Sequence, residues 1–222
     1  MKTSIVICSK NEAETIVEVV KKTKRYADEI LVVDGHSQDQ TEEIAKKMNC
    51  VFFKDGGKGK GDGIREGIKR AKGDIVVFID ADESHEPKDI PNLIRPIKQG
   101  KADLVVASRG RGGSDELHGD FEKMLRLIGS SIITLAINSR FKVQLTDSQN
   151  GFRAIKRKVA QRLNLKENIF TIEQEMIMKA LKKGFKVTEI PSHEYARKRG
   201  KSHINLLTMS FRYIWCLIKN LI

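Results

Sequence analysis

Two aspartates separated by one residue, Asp80 and Asp82, follow the continuous apolar run of residues 75–79. Such a run is typical of a strand that is buried on both faces. Two carboxylates at the end of a buried strand can share Mg²⁺ or Mn²⁺ and leave coordination sites for water and diphosphate oxygens. Ser84 or His85, in the loop that follows, could join the outer shell. We therefore predict a metal site at Asp80 and Asp82, although Asp-x-Asp also occurs at solvated strand ends.

Polar residues also follow the first two predicted strands. Ser9, Asn11 and Glu12 open a helix, where they could cap its first turn, hold a nucleotide base or ribose, or do both. Asp34 ends the second strand and precedes Gly35, an arrangement that accepts hydrogen bonds from a base or ribose. These residues are candidates for a nucleoside site.

Two further segments could bind phosphate. In the glycine-rich segment 56–63, backbone amides could approach an anion, and Lys58 and Lys60 add positive charge. Its spacing differs from the P-loop of NTPases, and a flexible loop without a ligand is the alternative. Arg109 and Arg111 follow the fifth predicted strand, where arginines can clamp phosphate in a bidentate manner.

The elements that must position these residues alternate along the first hundred positions. The patterns predict strands at residues 4–8, 29–33, 51–53, 75–79 and 104–107, and helices at 12–24, 40–48, 64–71 and 87–98. This alternation indicates an α/β fold with a mostly parallel sheet covered on both faces, whose ligands bind beyond the carboxyl ends of the strands. The second half is less regular, with helices predicted at 121–137 and 173–183, a loop at 144–154 that leads into a short strand, and a strand at 185–190.

Size and charge restrict the class of protein. The 222 residues suit one domain, and 41 Lys and Arg against 29 Asp and Glu give a net charge of +12. The partners of such a chain are expected to be anionic: nucleic acid, a membrane surface or a phosphorylated substrate. Few aromatic residues and the lack of a recognised binding motif argue against nucleic acid. Three cysteines without metal-ligand spacing indicate a reducing compartment.

The C-terminal segment is apolar but contains two basic residues. Residues 1–203 are predicted to form the catalytic domain and residues 204–222 an amphipathic helix, which carries Arg212 and Lys219. The helix could lie in a membrane interface with Tyr213 and Trp215 at headgroup depth, pack on its own domain, or pack on a second subunit in a homo-oligomer. No run reaches ~18 uninterrupted apolar residues, so we expect a cytoplasmic protein, peripheral at the cytoplasmic face of the membrane.

Taken in order, the motifs resemble those of GT-A glycosyltransferases of family 2. Those in the first half are Ser-Lys-Asn-Glu at 9–12, Val-Val-Asp-Gly-His-Ser at 32–37, the glycine-rich segment and Phe-Ile-Asp-Ala-Asp at 78–82. The second half is similar to the branch of dolichyl-phosphate mannose synthases and polyprenyl-phosphate glucosyltransferases. Its motifs are Ala-Ser-Arg at 107–109, Arg126 with Ser130, Asp-Ser-Gln-Asn-Gly-Phe-Arg at 147–153, Glu-Gln-Glu at 173–175 and Arg-Lys-Arg-Gly-Lys-Ser at 197–202.

The resemblance covers residues 4–202 and implies a GT-A nucleotide-sandwich fold with a Mg²⁺- or Mn²⁺-dependent reaction. The donor would be GDP-mannose or a UDP-hexose, and the acceptor a polyprenyl or dolichyl phosphate. By position, the nucleotide would be held by Ser9, Asn11, Glu12, Asp34, Lys60, Asp80 and Ala81. The phosphates would be held by Arg109, Arg126, Ser130, Arg197, Lys201 and Ser202. The chain departs from the family at Gly35, where a second aspartate is common, and at residues 8–10, where a proline and an aromatic or apolar residue are usual.

An acceptor phosphate is already anionic and needs no strong base, so positioning and charge stabilisation would dominate catalysis. Its oxygen would attack the anomeric carbon in line with the departing diphosphate and invert that centre. The candidate catalytic residues are Asp82, Asp147, Arg109 and Arg126.

Three alternatives to this reaction stay open. If the acceptor is a sugar hydroxyl of a glycan or glycolipid, Asp147, Glu173 or Glu175 would take the proton, unless Asp147 caps a loop and the glutamates stabilise a helix N-terminus. A nucleotidyltransferase could use a similar sheet and metal. A non-catalytic nucleic-acid binder is the remote alternative.

Overall fold

The computed structural model describes residues 1–116, 121–196 and 206–221. The strands are β1 (Thr3–Ser9), β2 (Glu29–Asp34), β3 (Val51–Lys54), β4 (Ile75–Asp80), β5 (Leu104–Ser108), β6 (Arg153–Lys156) and β7 (Val187–Pro191). The helices are α1 (Ile16–Lys24), α2 (Thr41–Lys47), α3 (Lys60–Arg70), α4 (Ile90–Lys98), α5 (Arg109–Gly112), α6 (Phe121–Phe141), α7 (Arg157–Arg162), α8 (Ile172–Lys182) and α9 (Leu206–Leu221). A 3₁₀ turn, Pro87–Asp89, precedes α4.

The strands form one sheet in the order β3-β2-β1-β4-β6-β5-β7. Only β6 among the described strands runs antiparallel to its neighbours, β4 and β5, and the other pairings are parallel. The register pairs Ser9 with Asp34 and Cys8 with Asp80, so β1, β2 and β4 end at the same edge. The predicted α/β class with a mostly parallel sheet is confirmed.

Apolar side chains from the strands fill both faces of the sheet. In β1, Val6 points into the core that is shared with α3, α6, α8 and α9, whereas Ile5 and Ile7 point into the core shared with α1 and α4. Alternation of this kind follows from the two-residue repeat of a strand. Burial on both faces explains why the central strands read as uninterrupted apolar runs.

One departure from the predicted elements lies in the glycine-rich segment. Helix α3 begins at Lys60, four residues before the predicted start, so half of that segment is helical. The amides of Gly61 and Asp62, which start the helix, donate to the carbonyl oxygen of Asn168 at 2.8 and 3.4 Å. A β-carbon at Gly61 would lie 2.4 Å from the carbonyl oxygen of Glu167, so this close approach needs glycine. The short helices α5 and α7 were not predicted.

Helix α9 packs on the body of the protein with one face. Cys216 is buried, and the side-chain amide of Gln174 in α8 donates to the carbonyl oxygen of Tyr213 at 2.8 Å. Arg140 in α6 donates to the carbonyl oxygen of Leu221 at 3.0 Å. This arrangement corresponds to the predicted alternative in which the helix packs on its own domain, and it joins residues 206–221 closely to the sheet.

The opposite faces of α6 and α9 are apolar and exposed. The exposed side chains are Met124, Leu125, Ile128, Ile132 and Leu135 on α6, and Phe211, Ile214, Trp215 and Ile218 on α9. Among the helices that the structure describes, none combines the length and apolar character that a membrane crossing requires.

Candidate active site

A cavity of about 460 Å³ lies at the carboxyl edge of β1, β2 and β4. This volume falls in the range of sites for small ligands and cofactors. We call it the first cavity. Seven of the predicted or considered site residues line it: Ser9, Glu12, Lys58, Lys60, Asp80, Ala81 and Asp82.

A lysine lies between two carboxylates at the rear of the first cavity. The ammonium of Lys60 is 2.8 Å from Oδ1 and 2.9 Å from Oδ2 of Asp80, and 3.1 Å from Oε1 of Glu173. Burial by itself would lower the pKa of Lys60, but the charges of Asp80 and Glu173 raise it above its usual value. Burial would also raise the pKa of Asp80, but Lys60 and His85 hold it below the usual range. Lys60 and Asp80 are therefore both ionised at neutral pH.

The loop after β4 orients the second aspartate. Oδ1 of Asp82 accepts hydrogen bonds from the amide and the hydroxyl of Ser84 at 3.1 and 2.6 Å, and the side chain is buried. Nε2 of His85 lies 3.7 Å from Oδ2 of Asp80, and its ring stacks on Phe152. Ser84 and His85 thus contact the two carboxylates that were predicted to bind metal.

The donor set fits a divalent cation that is held jointly with a substrate. Asp80 and Asp82 line the same cavity, and carboxylate oxygens are suitable ligands for Mg²⁺ and Mn²⁺. Within residues 1–116, 121–196 and 206–221, no group of three or more His, Cys, Asp or Glu side chains is placed to hold a metal ion. Because Mg²⁺ is commonly bound by one or two carboxylates together with phosphate oxygens, two aspartates are sufficient when a diphosphate is present.

Two of the predicted nucleoside-binding residues shape loops. The carboxylate of Asp34 accepts hydrogen bonds from the amide and hydroxyl of Ser37 at 2.9 and 2.5 Å. The side-chain oxygen of Asn11 accepts from the amide of Gln38 at 2.8 Å. Both side chains stabilise the turn after β2, and the cavity wall at this point is formed by Gly35.

Asp55 lines the first cavity but was not predicted as a site residue. Burial raises the pKa of its carboxyl group, while the amide of Gly57, which donates to it at 2.8 Å, acts in the opposite direction. Asp55 directly follows β3 at the same edge of the sheet as Asp34. Its position after a predicted parallel strand was the signal that could have identified it.

The glycine-rich segment provides charge to the cavity by its side chains. Its amides are largely used within the protein: that of Gly56 donates to Asp62 at 2.7 Å, and that of Gly61 to the carbonyl oxygen of Asn168 at 2.8 Å. The prediction that these amides surround an anion therefore does not hold at Gly56 and Gly61. Lys58 and Lys60 supply the positive charge.

Cys8 also lines the first cavity. Burial raises the pKa of its thiol to about 12, so the thiol stays protonated at neutral pH. Since the thiolate is the nucleophilic form, Cys8 is not equipped for covalent catalysis.

A second cavity of about 310 Å³ lies between α6, α8 and α9. Its walls include three residues that were predicted to bind phosphate, Arg109, Arg126 and Ser130. Lys60, Asp80 and Phe170 line both cavities. The ion pair of Lys60 and Asp80 therefore stands at the boundary between the two.

Arg109 is held from behind by Asp147. Its Nε is 2.6 Å from Oδ2 and its Nη2 is 3.0 Å from Oδ1 of Asp147, and Nη1 is 3.5 Å from Oε2 of Glu194. Burial alone would raise the pKa of Asp147, but Arg109 and the amides of Gln149 and Arg109 lower it. A carboxylate with a lowered pKa and five hydrogen bonds is a poor proton acceptor. Asp147 thus positions Arg109, which differs from the predicted catalytic role.

The two glutamates that were left open at the start of α8 have different surroundings. Glu175 accepts hydrogen bonds from the amides of Lys166 and Glu167 at 3.0 and 2.9 Å, so it organises the preceding loop. Glu173 lines the second cavity, and its Oε2 is buried without a hydrogen-bond partner in the described part of the chain. Glu173 therefore belongs to the site.

Two buried polar residues that were not predicted as site residues support these walls. Arg153 is fully buried and donates to the carbonyl oxygens of Asn150 and Glu173 at 3.0 and 2.7 Å. Glu189 in β7 accepts from the amides of Thr146 and Asp147, both at 2.8 Å. Of the remaining predicted phosphate-binding residues, Arg197, Lys201 and Ser202 lie outside the described residues.

Comparisons with known proteins agree with this geometry. A family model described as Glycosyl transferase family 2 matches residues 4–163. A dolichol-phosphate mannosyltransferase of Pyrococcus furiosus is 32% identical over 99% of this chain, which spans 64% of that protein. An uncharacterized protein of Methanocaldococcus jannaschii is 31% identical, with 95% of this chain and 90% of that protein covered.

Solved structures share the architecture at lower identity. Glucosyl-3-phosphoglycerate synthase of Mycobacterium tuberculosis, in complex with Mn²⁺, UDP and glucosyl-3-phosphoglycerate, matches with a TM-score of 0.77 and 22% identity. The match covers 99% of this chain and 79% of that one. This likeness confirms the predicted fold.

Proposed function

The chain belongs to glycosyl transferase family 2, and on that premise we propose that it moves a hexosyl group, with inversion, from a nucleotide-diphosphate sugar to a polyprenyl or dolichyl phosphate. GDP-mannose or a UDP-hexose is the donor. The observation that carries this proposal is the meeting of two cavities at Asp80, one with acidic strand ends and one with arginines. Transfer needs a donor and an acceptor that meet at one point.

The first cavity suits the donor. Lys58 and Lys60 supply positive charge for the diphosphate, and Ser9, Glu12 and Asp55 offer polar atoms to the nucleoside. The volume of about 460 Å³ suits a nucleoside diphosphate. Asp80 and Asp82 would hold Mg²⁺ or Mn²⁺ there. The cation, when bound, supplies neutralisation of the charge on the departing diphosphate.

The second cavity suits an acceptor phosphate. Arg126 and Ser130 lie on α6, and Arg109, fixed by Asp147, faces them across the cavity. In the reaction, a phosphate oxygen of the acceptor forms a bond to the anomeric carbon, and the bond from that carbon to the diphosphate breaks. The nucleoside diphosphate leaves with the electron pair, and no proton must be removed from an ionised phosphate. Arginines that hold the acceptor in line therefore provide most of the assistance.

The apolar faces of α6 and α9 support a lipid-linked acceptor. Leu125, Ile132 and Ile214, which are exposed on these faces, also line the second cavity. An extended apolar surface beside a site is typical of a membrane or partner interface. Arg212 and Lys219, both exposed on α9, and the net charge of +12 favour an anionic leaflet. We propose that the protein binds peripherally at the cytoplasmic face of a membrane.

A transfer to a sugar hydroxyl is the second candidate. The observation in its favour is Glu173, whose buried Oε2 has no hydrogen-bond partner within the described residues. A carboxylate with an available oxygen at the boundary of the cavities could accept the proton of a hydroxyl. A labelled polyprenyl phosphate and a glycan acceptor are offered together, and the labelled product shows which one receives the sugar. Transfer to the polyprenyl phosphate needs no base, whereas transfer to a glycan hydroxyl does.

The decisive variant is Asp82→Ala, assayed for donor hydrolysis and for transfer with Mn²⁺ present. We expect both activities to fall by about 10²-fold or more, since the cation would lose one of its two carboxylates. Glu86→Ala is the matched control, because Glu86 lies in the same loop and its side chain accepts from the amide of Lys88. Near-normal transfer by Asp82→Ala would exclude the metal role.

The donor is identified by a thermal-shift panel. GDP-mannose, UDP-glucose and UDP-N-acetylglucosamine are each measured with and without Mn²⁺, and the true donor raises the Tm most. If none of them raises the Tm in the presence of Mn²⁺, the nucleotide-sugar assignment fails.

A further inference from the structure

We propose that Lys60 is an internal counter-cation: it offsets one of the two negative charges of Asp80 and Glu173 when no donor is bound, and it restricts tight binding of the divalent metal to the state in which a nucleoside diphosphate is also present. The inference rests on the proposed function, and it adds an order of binding to it. We call this residue the resident cation.

The first support is the position of the ammonium. It contacts both oxygens of Asp80 at 2.8 and 2.9 Å and Oε1 of Glu173 at 3.1 Å. Its side chain is 14% exposed, and the ring of Phe170 lies 5.5 Å from the ammonium. A metal that approaches Asp80 alone would meet a positive charge already bound to the oxygens it needs.

The second support is the balance of charge. With one lysine against two carboxylates, the cluster carries a formal charge of −1 in place of −2, which weakens its attraction for a divalent cation. A nucleoside diphosphate changes this balance because it brings negative charge into the first cavity, which Lys60 also lines. The ammonium can then pair with phosphate oxygens, and the carboxylate of Asp80 becomes available to the metal.

The third support is that the ammonium of Lys60 can pair with a second carboxylate when it leaves Asp80. Glu173 contacts it through Oε1, while Oε2 of the same carboxylate is buried without a hydrogen-bond partner in the described part of the chain. Lys60 is the first residue of α3, so a change of its side-chain rotamer moves the charge while the helix stays in place. Movement away from Asp80 also alters the boundary between the two cavities.

The chain leaves space for this exchange at Gly151. A β-carbon there would lie 2.8 Å from the ammonium of Lys60 and 3.1 Å from Oδ2 of Asp80. Any larger residue would displace the lysine or the aspartate. Glycine at this position thus leaves the room that the ion pair occupies.

The test is a titration of Mn²⁺, followed by electron paramagnetic resonance, against wild type, Lys60→Met and Lys69→Met, each with and without UDP or GDP. In wild type, Mn²⁺ alone should bind weakly, and the nucleoside diphosphate should strengthen it by about tenfold or more. In Lys60→Met, Mn²⁺ alone should bind about tenfold more tightly than in wild type, and the gain from nucleotide should shrink. Lys69→Met, which removes an exposed lysine of the same helix outside both cavities, should bind Mn²⁺ alone as wild type does.

Thermal melting provides a second readout. Mn²⁺ alone should raise the Tm of Lys60→Met more than that of wild type, because the metal replaces the lost counter-charge. Should Lys60→Met fail to fold, Lys60→Gln, which keeps a hydrogen-bond donor for Asp80 without the charge, is measured in its place.

Equal or weaker binding of Mn²⁺ alone by the Lys60 variants would overturn the inference. If nucleotide still strengthens Mn²⁺ binding in wild type, that result removes only the role of Lys60. If UDP and GDP leave Mn²⁺ binding unchanged in wild type and in Lys69→Met, the nucleotide site fails and the inference fails with it.

Discussion

The two cavities are built in different ways. Nearly all of the first cavity comes from the ends of consecutive parallel strands and the segments after them, within residues 8–82, with Phe170 added. The second combines residues from 60 to 217, carried on helices and loops that are distant in the sequence. A cavity at strand ends follows from the sheet itself, whereas a cavity between helices depends on how those helices pack. The second cavity is therefore where members of such a fold can diverge most readily.

The ion pairs of the two cavities also differ: one has an exchangeable partner and the other is fixed. Asp80 faces its cavity and shares Lys60 with Glu173, so its partner can be exchanged. Asp147 is buried behind Arg109, with both oxygens occupied, so that pair is a fixed support. Mutations in the first pair should affect chemistry, and mutations in the second should affect stability and geometry.

The largest effect is expected for Asp80→Asn. The change removes one of the two proposed metal ligands and leaves Lys60 with Glu173 alone, so transfer should fall by about 10²–10³-fold with little loss of fold. Initial rates of transfer with Mn²⁺ measure this. Asp103→Asn, which removes a carboxylate paired with Lys156 instead, should retain activity. Comparable losses of transfer in both variants would show that the effect does not come from the exchangeable ion pair of Asp80.

Arg109→Met should lower stability as well as transfer, because it also removes a guanidinium that is proposed to hold the acceptor phosphate. Removing the arginine leaves Asp147 buried without its cation, and breaking a buried pair in this way costs about 3–5 kcal/mol. Urea unfolding at pH 7 measures the free energy of unfolding. Arg111→Met is the control, because Arg111 is exposed on the same short helix. A loss below about 1 kcal/mol would show that the pair is not a support.

The pH dependence of stability should report on Asp147. Its pKa is lower in the folded protein, so its ionised form stabilises the fold above the unfolded pKa of about 3.9, and this stabilisation is lost as the pH falls towards the folded pKa. Asp147→Asn should therefore cost about 2 kcal/mol at pH 7 and progressively less below about pH 4. Urea unfolding at pH 7, 4 and 3 checks this, and a cost that grows on acidification would contradict it.

Substitutions on the exposed apolar face of α9 should have the smallest effect. The double variant Phe211→Ser/Trp215→Ser should weaken co-sedimentation with anionic liposomes by about tenfold, since each side chain contributes apolar area to the contact. Its stability should change little, because both side chains point away from the core. Val51→Ser, another exposed apolar position on the edge strand β3, should partition as wild type does. Equal partitioning of all three proteins would exclude the lipid contact.

Much of the first cavity was predictable. The apolar runs located β1, β2 and β4 to within two residues, and parallel strands place their carboxyl ends at one edge, which brought Ser9, Asp80 and Asp82 together. Asp34 does not line this cavity, because its carboxylate accepts a hydrogen bond from the amide of Ser37 in the turn after β2. Short-range hydrogen bonds of this kind compete with ligand binding. Asp55 was not predicted because the glycines that follow it give the stronger local signal.

The second cavity was less accessible to prediction from the sequence. Arg126 and Ser130 were found by resemblance alone. The contacts of Asp147 with Arg109, of Glu189 with Thr146 and of Lys60 with Glu173 join residues 38 to 113 positions apart, and no periodic pattern encodes them. The antiparallel strand β6, which carries the buried Arg153, inserts between β4 and β5 by a connection that spacing does not reveal.

Helix α9 has a practical consequence for handling the protein. Tyr213 lines the second cavity, and its hydroxyl lies 3.3 Å from the carbonyl oxygen of Phe170 at the boundary of the two cavities. A purification tag or fusion partner attached after this helix would be joined to the element that forms one wall of the second cavity. Met1 is exposed and precedes β1 at the opposite edge of the sheet, so an amino-terminal tag leaves that wall undisturbed.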